Sequence, residues 1–330
     1  MTPNTNFILP SFQSSNCNYA LIRMAHNCNT KPEYITLNRK GLLRNKLPPN
    51  TPVHILGRSK RLLPSIAGLI WILNQKQPDF LVCADPALNR ALDLARPFLP
   101  KATQFLLWDE QSIPIRMPIA VSDIRDDAKI IQTLHQGRKK TLQLSCIATK
   151  DNWGTLSPLL EKLSGSKADK NWTLHILTEP KTASLVQPLI QRYNLDNQAF
   201  LLDTLEENEK ETHRIIGASD YFLWEHEGEM LSYQPLESLA LGTPILILGE
   251  KSKQLKDLQS SAPLGAVQNF LTIEDMIVSM RSFKPHPSAT YRPSLLPKDY
   301  HAENVAKEFE KILRDMQKER TAVSSTSRAA

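Results

Sequence analysis

The sequence contains few cysteines and no closely spaced pair of them. Its 330 residues include four, Cys17, Cys28, Cys83 and Cys146, and no CxxC motif joins any two. This spacing gives little support to a metal centre or a disulfide framework, so we expect reduced thiols. Glycine is also scarce, with 11 residues, and neither GxxxxGKS nor GxGxxG occurs. A P-loop or a dinucleotide-binding fingerprint is therefore without direct support.

Long apolar runs are missing as well. The longest, LLPSIAGLIWIL at residues 62–73, is about half the length that crosses a bilayer and ends in polar residues. The first residues, MTPNTNFILPSF, lack the basic region and the long apolar core of a signal peptide. We therefore expect a cytoplasmic protein without a membrane-spanning helix. The basic lead-in GRSKR, residues 57–61, leaves peripheral contact with the inner face of the plasma membrane open.

Charge is distributed unevenly along the chain. Residues 1–140 carry 19 Lys and Arg against 9 Asp and Glu, a net charge of +10, whereas the remaining 190 residues have a net charge of −4. A phosphorylated lipid, an anionic membrane or nucleic acid would each suit the basic half, and a basic surface that serves only solubility explains the same charge. The densest basic segment, residues 39–61, has few interleaved aromatics, which disfavours nucleic acid bound by stacking. We therefore expect a phosphate-rich lipid or an anionic membrane rather than nucleic acid.

Short apolar runs alternate with helical patterns throughout, which predicts βαβ units and parallel sheets. The predicted strands are residues 6–12, 34–37, 52–56, 79–84 and 103–108, followed by 142–148, 172–178, 198–203, 220–225 and 243–248. A mixed stretch at 111–140 is typical of a linker. The sequence therefore predicts a short basic domain at 1–140, a second domain at 141–320 and a disordered tail at 321–330.

The stretch ASDYFLWEHEGEMLSYQPLESLALGTPILI, residues 218–247, combines features that suit binding of a nucleotide sugar. Glu229 and Glu237 are eight residues apart, and Glu237 lies in the helix that follows the strand. In a doubly wound domain this crossing lies at the carboxyl edge of the sheet, where ligands bind. The helix N-terminus favours a diphosphate, and a carboxylate one turn inside can accept hydrogen bonds from ribose hydroxyls.

This stretch resembles the signature of family 4 glycosyltransferases, AD-(apolar)-PSxxEGFGxxxxEAMAxGxPV. The match runs without a gap over Asp220, Glu229, Glu237, Ala240, Gly242 and Pro244. The resemblance implies a GT-B fold, in which two Rossmann-like domains with parallel sheets face each other and a C-terminal helix returns to the N-terminal domain. It also implies that Glu229 lies near the donor sugar or phosphate, that Glu237 binds the donor ribose, that the reaction is retaining, and that no metal or other cofactor is required.

Several positions depart from that signature. The glycines that follow the first glutamate in the family are replaced by Met230 and Ser232, and glycine there lets backbone amides approach the diphosphate. The family's diphosphate-binding Arg and Lys fall on Ala148 and Trp153, although Lys150 lies close enough in sequence to substitute. An inactive GT-B scaffold or binding subunit is therefore an alternative to a transferase.

Further candidates lie near the same predicted site. Asp109, with Glu110, follows the last strand of the first domain and is a candidate to contact the acceptor or act as a base, or else a solvated acidic pair. His226 precedes Glu229 by three residues and is a candidate to hydrogen-bond the donor sugar, or else a structural histidine. Met230 and Leu231 are also expected at the donor.

The family resemblance also implies the reaction. With the basic N-terminal half, it leads us to expect transfer of a hexose from a nucleotide sugar to a hydroxyl of a lipid-linked or saccharide acceptor, in assembly of surface polysaccharide or lipopolysaccharide. The third alternative is a basic α/β protein that binds nucleic acid or an anionic membrane through its first half.

Overall fold

The computed structural model describes most of the chain. The described residues are 4–13, 15–29, 32–38, 40–56, 62–83, 85–100, 102–107, 116–128, 141–150, 152–165, 172–203, 209–226, 231–281 and 292–326. They divide into two compact units, Met1–Ala120 with Lys298–Ala330, and Val121–Pro297. No helix among these residues is both long and apolar enough to cross a membrane.

The first unit is built on a parallel sheet of five described strands in the order β3-β2-β1-β4-β5. The strands are β1 (Thr5–Leu9), β2 (Glu33–Thr36), β3 (Val53–Ile55), β4 (Phe80–Cys83) and β5 (Gln104–Leu107). The helices that connect them are α1 (Asn16–Asn27), α2 (Leu62–Lys76) and α3 (Pro86–Ala95). The chain passes from β1 to β3 on one side and to β4 and β5 on the other, so the topological switch point lies between β1 and β4.

Burial explains why these segments form strands. All five residues of β1 and all four of β4 are buried, as expected where helices cover both faces of a parallel sheet. Leu69 and Leu73 of α2 and Leu88 and Leu92 of α3 pack against one face of the sheet. The terminal helix α11 (Ala302–Thr326) belongs to this unit and packs on α1, with Phe309 against Phe7 of β1.

The second unit has a parallel sheet of six described strands in the order β11-β10-β9-β6-β7-β8. Its strands are β6 (Leu142–Ala148), β7 (Trp172–Thr178), β8 (Ala199–Asp203), β9 (Tyr221–Glu225), β10 (Ile245–Leu248) and β11 (Val267–Phe270). Its helices are α4 (Val121–Ala128), α5 (Leu156–Gly165), α6 (Pro180–Arg192), α7 (Glu209–Ala218), α8 (Tyr233–Ala240), α9 (Lys253–Ser261) and α10 (Ile273–Arg281). Here the switch point lies between β6 and β9.

These two parallel-sheet units confirm the predicted fold class, with differences in detail. Helix α6 runs through Pro188, where we expected an interruption. The segment α9-β11-α10 was not predicted at all. Helix α4, inside the stretch taken as a linker, belongs to the second unit, and residues from Lys298 onward belong to the first. The terminal helix continues to Thr326, whereas we expected a disordered tail from residue 321.

Candidate functional site

The carboxyl ends of β6 and β9 meet at the switch point of the second unit, which is where open α/β sheets bind ligands. A small cavity of about 40 Å³ opens here. Its lining includes Cys146 from β6, Trp224 and Glu225 from β9, Leu248 from β10 and Asn152 from the turn after β6. The candidate site is therefore assembled from the connections that leave β6, β9 and β10.

The turn after β6 is held by the side chain of Asn152. Its Oδ1 accepts hydrogen bonds from the backbone N–H and the hydroxyl of Thr149, and its Nδ2 donates to the carbonyl of Ile147. Lys150 lies exposed in this turn. Trp153 is half-buried and packs against the core of the unit, so the position where the family places a lysine carries no cation.

Glu237 lies one turn inside α8, the helix that follows β9. Only 4% of this residue is exposed, and His213 on α7 is 2% exposed. The Glu237 Oε2 atom lies 3.5 Å from His213 Nε2. A buried carboxylate needs an opposite charge or hydrogen-bond donors, and the imidazole of His213 supplies an opposite charge when it is protonated. The motif in the sequence did not indicate His213, which lies 24 residues away.

Glu209 joins this pair from the first turn of α7. One ligand atom from each of Glu209, His213 and Glu237 lies within 4.8 Å of the other two. Glu209 and His213 are four residues apart and so share a face of the helix. Carboxylate and imidazole are ligands that Zn²⁺ accepts, so these three side chains could hold a metal ion if one were supplied.

Two side chains near the start of α9 hold the ends of the connection between β9 and α8. Ser252, the N-cap residue of α9, lies with its Oγ 2.9 Å from His226 Nε2, just after β9. Gln254 Oε1 accepts a hydrogen bond of 2.9 Å from the backbone N–H of Leu231, just before α8. Leu231 is buried. His226 and Leu231, which flank residues 227–230, are therefore both held by contacts with α9, which sequence patterns did not reveal.

His226, at the start of the connection between β9 and α8, is itself buried. Burial lowers the pKa of its imidazole, so the neutral form is favoured near pH 7. Its backbone carbonyl passes so close to Gly249 that a Cβ there would lie 2.4 Å from the oxygen. The contact with Ser252 places His226 as a support of the loop as well as a candidate donor ligand.

Other positions of the signature have structural contacts at the opposite, amino edge of the sheet. Asp220 Oδ2 accepts a hydrogen bond from the backbone N–H of Gln143 at the start of β6, and Oδ1 pairs with Arg292 at 3.2 Å. Gly242 has a φ of +83°, and a Cβ there would lie 2.7 Å from both Arg292 Cβ and the Pro293 carbonyl oxygen. These contacts give Asp220 and Gly242 structural roles that involve no ligand.

Three predicted site residues, Glu229, Met230 and Asp109, fall outside the described residues. Of the others, Glu237, His226 and Leu231 lie in α8 or in the connection that leads to it, and Lys150 lies in the turn after β6. The structure adds His213, Asn152, Ser252 and Gln254. Only Ser252 had a signal in the sequence, because a serine before a helical pattern is a typical N-cap.

Comparisons with known proteins support the fold. No family model matches the sequence, and no curated protein matches it either. Among solved structures, a glycosyltransferase from Rickettsia africae superposes with a TM-score of 0.70 at 14% identity, covering 96% of this chain and 100% of that one. HepE from Anabaena, solved with UDP and glucose, superposes with a TM-score of 0.62 at 11% identity, and the match covers 98% of this chain and 100% of that one. WaaG, a glycosyltransferase involved in lipopolysaccharide biosynthesis, superposes with a TM-score of 0.58 at 13% identity, covering 94% of this chain and 95% of that one. The predicted GT-B fold is thereby confirmed, whereas membership of family 4 stays a prediction.

Proposed function

We propose that this protein is a glycosyltransferase that moves a hexose from a nucleotide sugar to an acceptor hydroxyl. The observation that carries the proposal is the position of Glu237, a buried carboxylate on the helix that leaves β9 at the switch point of a GT-B fold. HepE has been solved with UDP and glucose and with UDP-glucose. In this chain Glu237 would accept hydrogen bonds from the donor ribose, with His213 holding one of its oxygens.

The leaving diphosphate needs positive charge or oriented N–H groups. Lys150 is the candidate cation, since it is exposed in the turn after β6 and that turn is ordered by Asn152. The N-terminus of α8 adds oriented backbone N–H groups on the β9 side. Under this proposal Glu229, Met230 and Leu231 complete the donor site, His226 contacts the sugar, and Asp109 contacts the acceptor hydroxyl or acts as its base.

The acceptor would be lipid-linked or a saccharide, and the pathway would be assembly of surface polysaccharide or lipopolysaccharide. WaaG supports this assignment, since it acts in lipopolysaccharide biosynthesis and has the same fold. The basic charge of the first 140 residues also fits an anionic acceptor or a peripheral contact with an anionic membrane. We propose a retaining outcome without a metal on the strength of the family resemblance alone.

Donor binding is tested first by thermal shift with UDP-, GDP-, CDP- and ADP-linked sugars. A ligand at 100 times its dissociation constant stabilises the native state by about 2.7 kcal/mol. We expect one nucleotide class to raise the melting temperature of the wild type, and Glu237→Gln to abolish that rise. Glu161→Gln, at an exposed glutamate of α5 in the same unit, is the matched control and should retain the full shift. Absence of any shift in the folded wild type would contradict the proposal.

An inactive GT-B scaffold is the second candidate, and one observation favours it. Ala148 is buried at the end of β6 and Trp153 packs into the core, so neither family position offers a cation to a diphosphate. Turnover separates the two functions. Release of nucleoside diphosphate together with a glycosylated product supports the transferase, and nuclear magnetic resonance of the product then reports whether the anomeric configuration is retained. Donor binding without turnover, over a panel of phosphorylated and lipid-linked acceptors, supports the scaffold.

A further inference from the structure

The first unit contains a long basic segment with no acidic residue. Residues 34–78 include eight Lys and Arg and no Asp or Glu. Four of the eight, Arg39, Lys40, Arg44 and Lys46, lie in the connection that leaves β2. Since β2 pairs in parallel with β1, this connection starts at the carboxyl edge of the sheet, where the switch point also lies.

Backbone contacts pin this connection to the segment that leaves β1. The backbone N–H of Phe12 donates to the Lys40 carbonyl at 2.9 Å, and the N–H of Leu43 donates to the Phe12 carbonyl at 3.1 Å. Between them Gly41 adopts a φ of +128°, and a Cβ there would lie 1.8 Å from the Phe12 carbonyl carbon. Only glycine permits so close an approach. Lys40 and Arg44 are therefore held beside the switch point of the first unit.

Two further cations lie around one aromatic ring at the same place. Lys46 Nζ lies 5.4 Å from the centroid of the Tyr19 ring, and the guanidinium of Arg23 lies 5.5 Å from it. Tyr19 lies in the first turn of α1, which follows the β1 connection. The ring attracts each cation and so holds two positive charges at the start of α1.

Among the described residues that follow the strands at this edge, the acidic side chain is that of Asp85, on the β4 side of β1. Asp85 follows β4 and caps α3, where its Oδ1 accepts a hydrogen bond from the N–H of Leu88. Neither Lys40 nor Arg44, both exposed, forms an ion pair with another described residue. The carboxyl edge of this sheet is therefore positive on the β2 side, and that charge is available to a ligand.

From this arrangement we propose that Arg23, Lys40, Arg44 and Lys46 form a subsite for a phosphate group of the acceptor. The designation as an acceptor rests on the proposed transferase function, whereas the phosphate affinity itself does not. Arg and Lys side chains bind phosphate through short charge-assisted hydrogen bonds, and several cations on one edge favour a group with more than one negative charge. The acceptor would thus be a phosphorylated saccharide or a lipid with a phosphorylated headgroup.

The test compares the wild type with Lys40→Ala/Arg44→Ala, in which two exposed cations are removed and the backbone contacts of the loop remain. Inositol hexakisphosphate is the soluble probe, and phosphatidylcholine vesicles with and without phosphatidic acid are the lipid probe, all at one salt concentration. We expect the double variant to bind the probe at least about tenfold more weakly, as expected when charged hydrogen bonds are lost. Binding of the soluble probe indicates a saccharide phosphate, and binding of the acidic vesicles alone indicates a lipid headgroup.

The matched control is Lys181→Ala/Lys256→Ala, which removes the same charge from exposed positions of the second unit. Equal weakening in both double variants would overturn the subsite, because net charge alone would then account for binding. Tighter binding of duplex DNA than of either phosphate probe, weakened by the same substitutions, would also overturn it. The thermal shift with nucleotide sugars is recorded on the same samples. A wild type that binds the phosphate probe but shows no thermal shift with any nucleotide sugar would count against the transferase function and not against the phosphate subsite.

Discussion

His213 Nε2 lies 3.5 Å from Glu237 Oε2, and both residues are almost completely buried between α7 and α8. A carboxylate buried in this way destabilises the folded protein when its partners are removed. The same carboxylate therefore has two roles: it contacts α7 from α8 and, under the proposed function, it accepts hydrogen bonds from the donor. Substitution of Glu237 should then change both the stability and the donor affinity, and the two can be measured independently.

Glu237→Ala should destabilise the second unit by about 2 kcal/mol, because the buried imidazole of His213 loses the polar group beside it. Chemical unfolding in urea measures this change. Glu250→Ala removes an exposed carboxylate from the same unit and should change the free energy of unfolding by less than about 0.5 kcal/mol. Equal effects of the two substitutions would show that the contact with His213 contributes nothing to stability.

Two glycines with nearly the same φ allow the cost of backbone strain to be separated from the cost of close packing. Gly242 has a φ of +83° and Gly265 a φ of +82°, but a Cβ would lie 2.7 Å from Arg292 Cβ at the first and would meet nothing within 4 Å at the second. Gly265→Ala should cost about 1 kcal/mol, from the left-handed backbone alone. Gly242→Ala should cost at least about 2 kcal/mol more, because the Arg292 segment must move. Urea unfolding of both variants checks the difference, and equal costs would contradict the packing of Arg292 on Gly242.

The strands were predictable because both sheets are parallel and covered on both faces. Segments such as residues 142–148 and 172–178 are buried over most of their length, so they appear in the sequence as stretches rich in apolar residues. Strand β11, with the sequence VQNF, lies at the edge of the sheet and is only partly buried. It lacks such a stretch, and the α9-β11-α10 segment was missed for that reason.

Site residues were predictable only where they belong to a local pattern. Glu237 and His226 lie within one continuous stretch that resembles a known signature. Their partners, His213 and Ser252, come from α7 and α9, and nothing local marks either as a neighbour of the motif. Conversely, membership of the pattern does not by itself indicate a site residue. Asp220 belongs to the same pattern yet forms structural contacts at the amino edge of the sheet. Contacts of this kind depend on the packing of helices that are distant in sequence.

His226 predicts a pH dependence of stability. Burial lowers the pKa of its imidazole below the ordinary 6.5, so the unfolded chain takes up a proton at a higher pH than the folded protein does. The stability linked to this residue is complete above about pH 6.5 and is lost as the pH falls towards the lowered pKa. His226→Asn should therefore show a shallower loss of stability between about pH 7.5 and 5.5, measured as the urea midpoint. His26→Asn, at an exposed position of α1, is the control, and a slope reduced equally by both substitutions would contradict the assignment.

Glu209, His213 and Glu237 form a possible metal site, so the expected metal independence of the reaction can be tested. Its ligand atoms lie within 4.8 Å of one another, so a divalent cation could enter the site. We nevertheless expect donor binding and turnover to be the same in EDTA as with added Mg²⁺, Mn²⁺ or Zn²⁺. The reason is that the imidazole of His213 already lies against the Glu237 carboxylate, and Lys150 with the α8 N-terminus is assigned to the diphosphate.

His213→Gln distinguishes the two roles of that histidine. If His213 only positions Glu237, the variant should bind the nucleotide sugar more weakly, because the glutamine amide does not reproduce the position of the imidazole. The weakening should be the same in EDTA and in metal, because no cation takes part. If the three side chains hold a catalytic metal, activity of the wild type should disappear in EDTA and return with the cation, and the variant should need far more cation for the same activity. Calorimetric titration with Zn²⁺ gives a readout independent of turnover. Stoichiometric Zn²⁺ binding that is lost in His213→Gln, together with loss of wild-type activity in EDTA, would contradict the metal-independent mechanism.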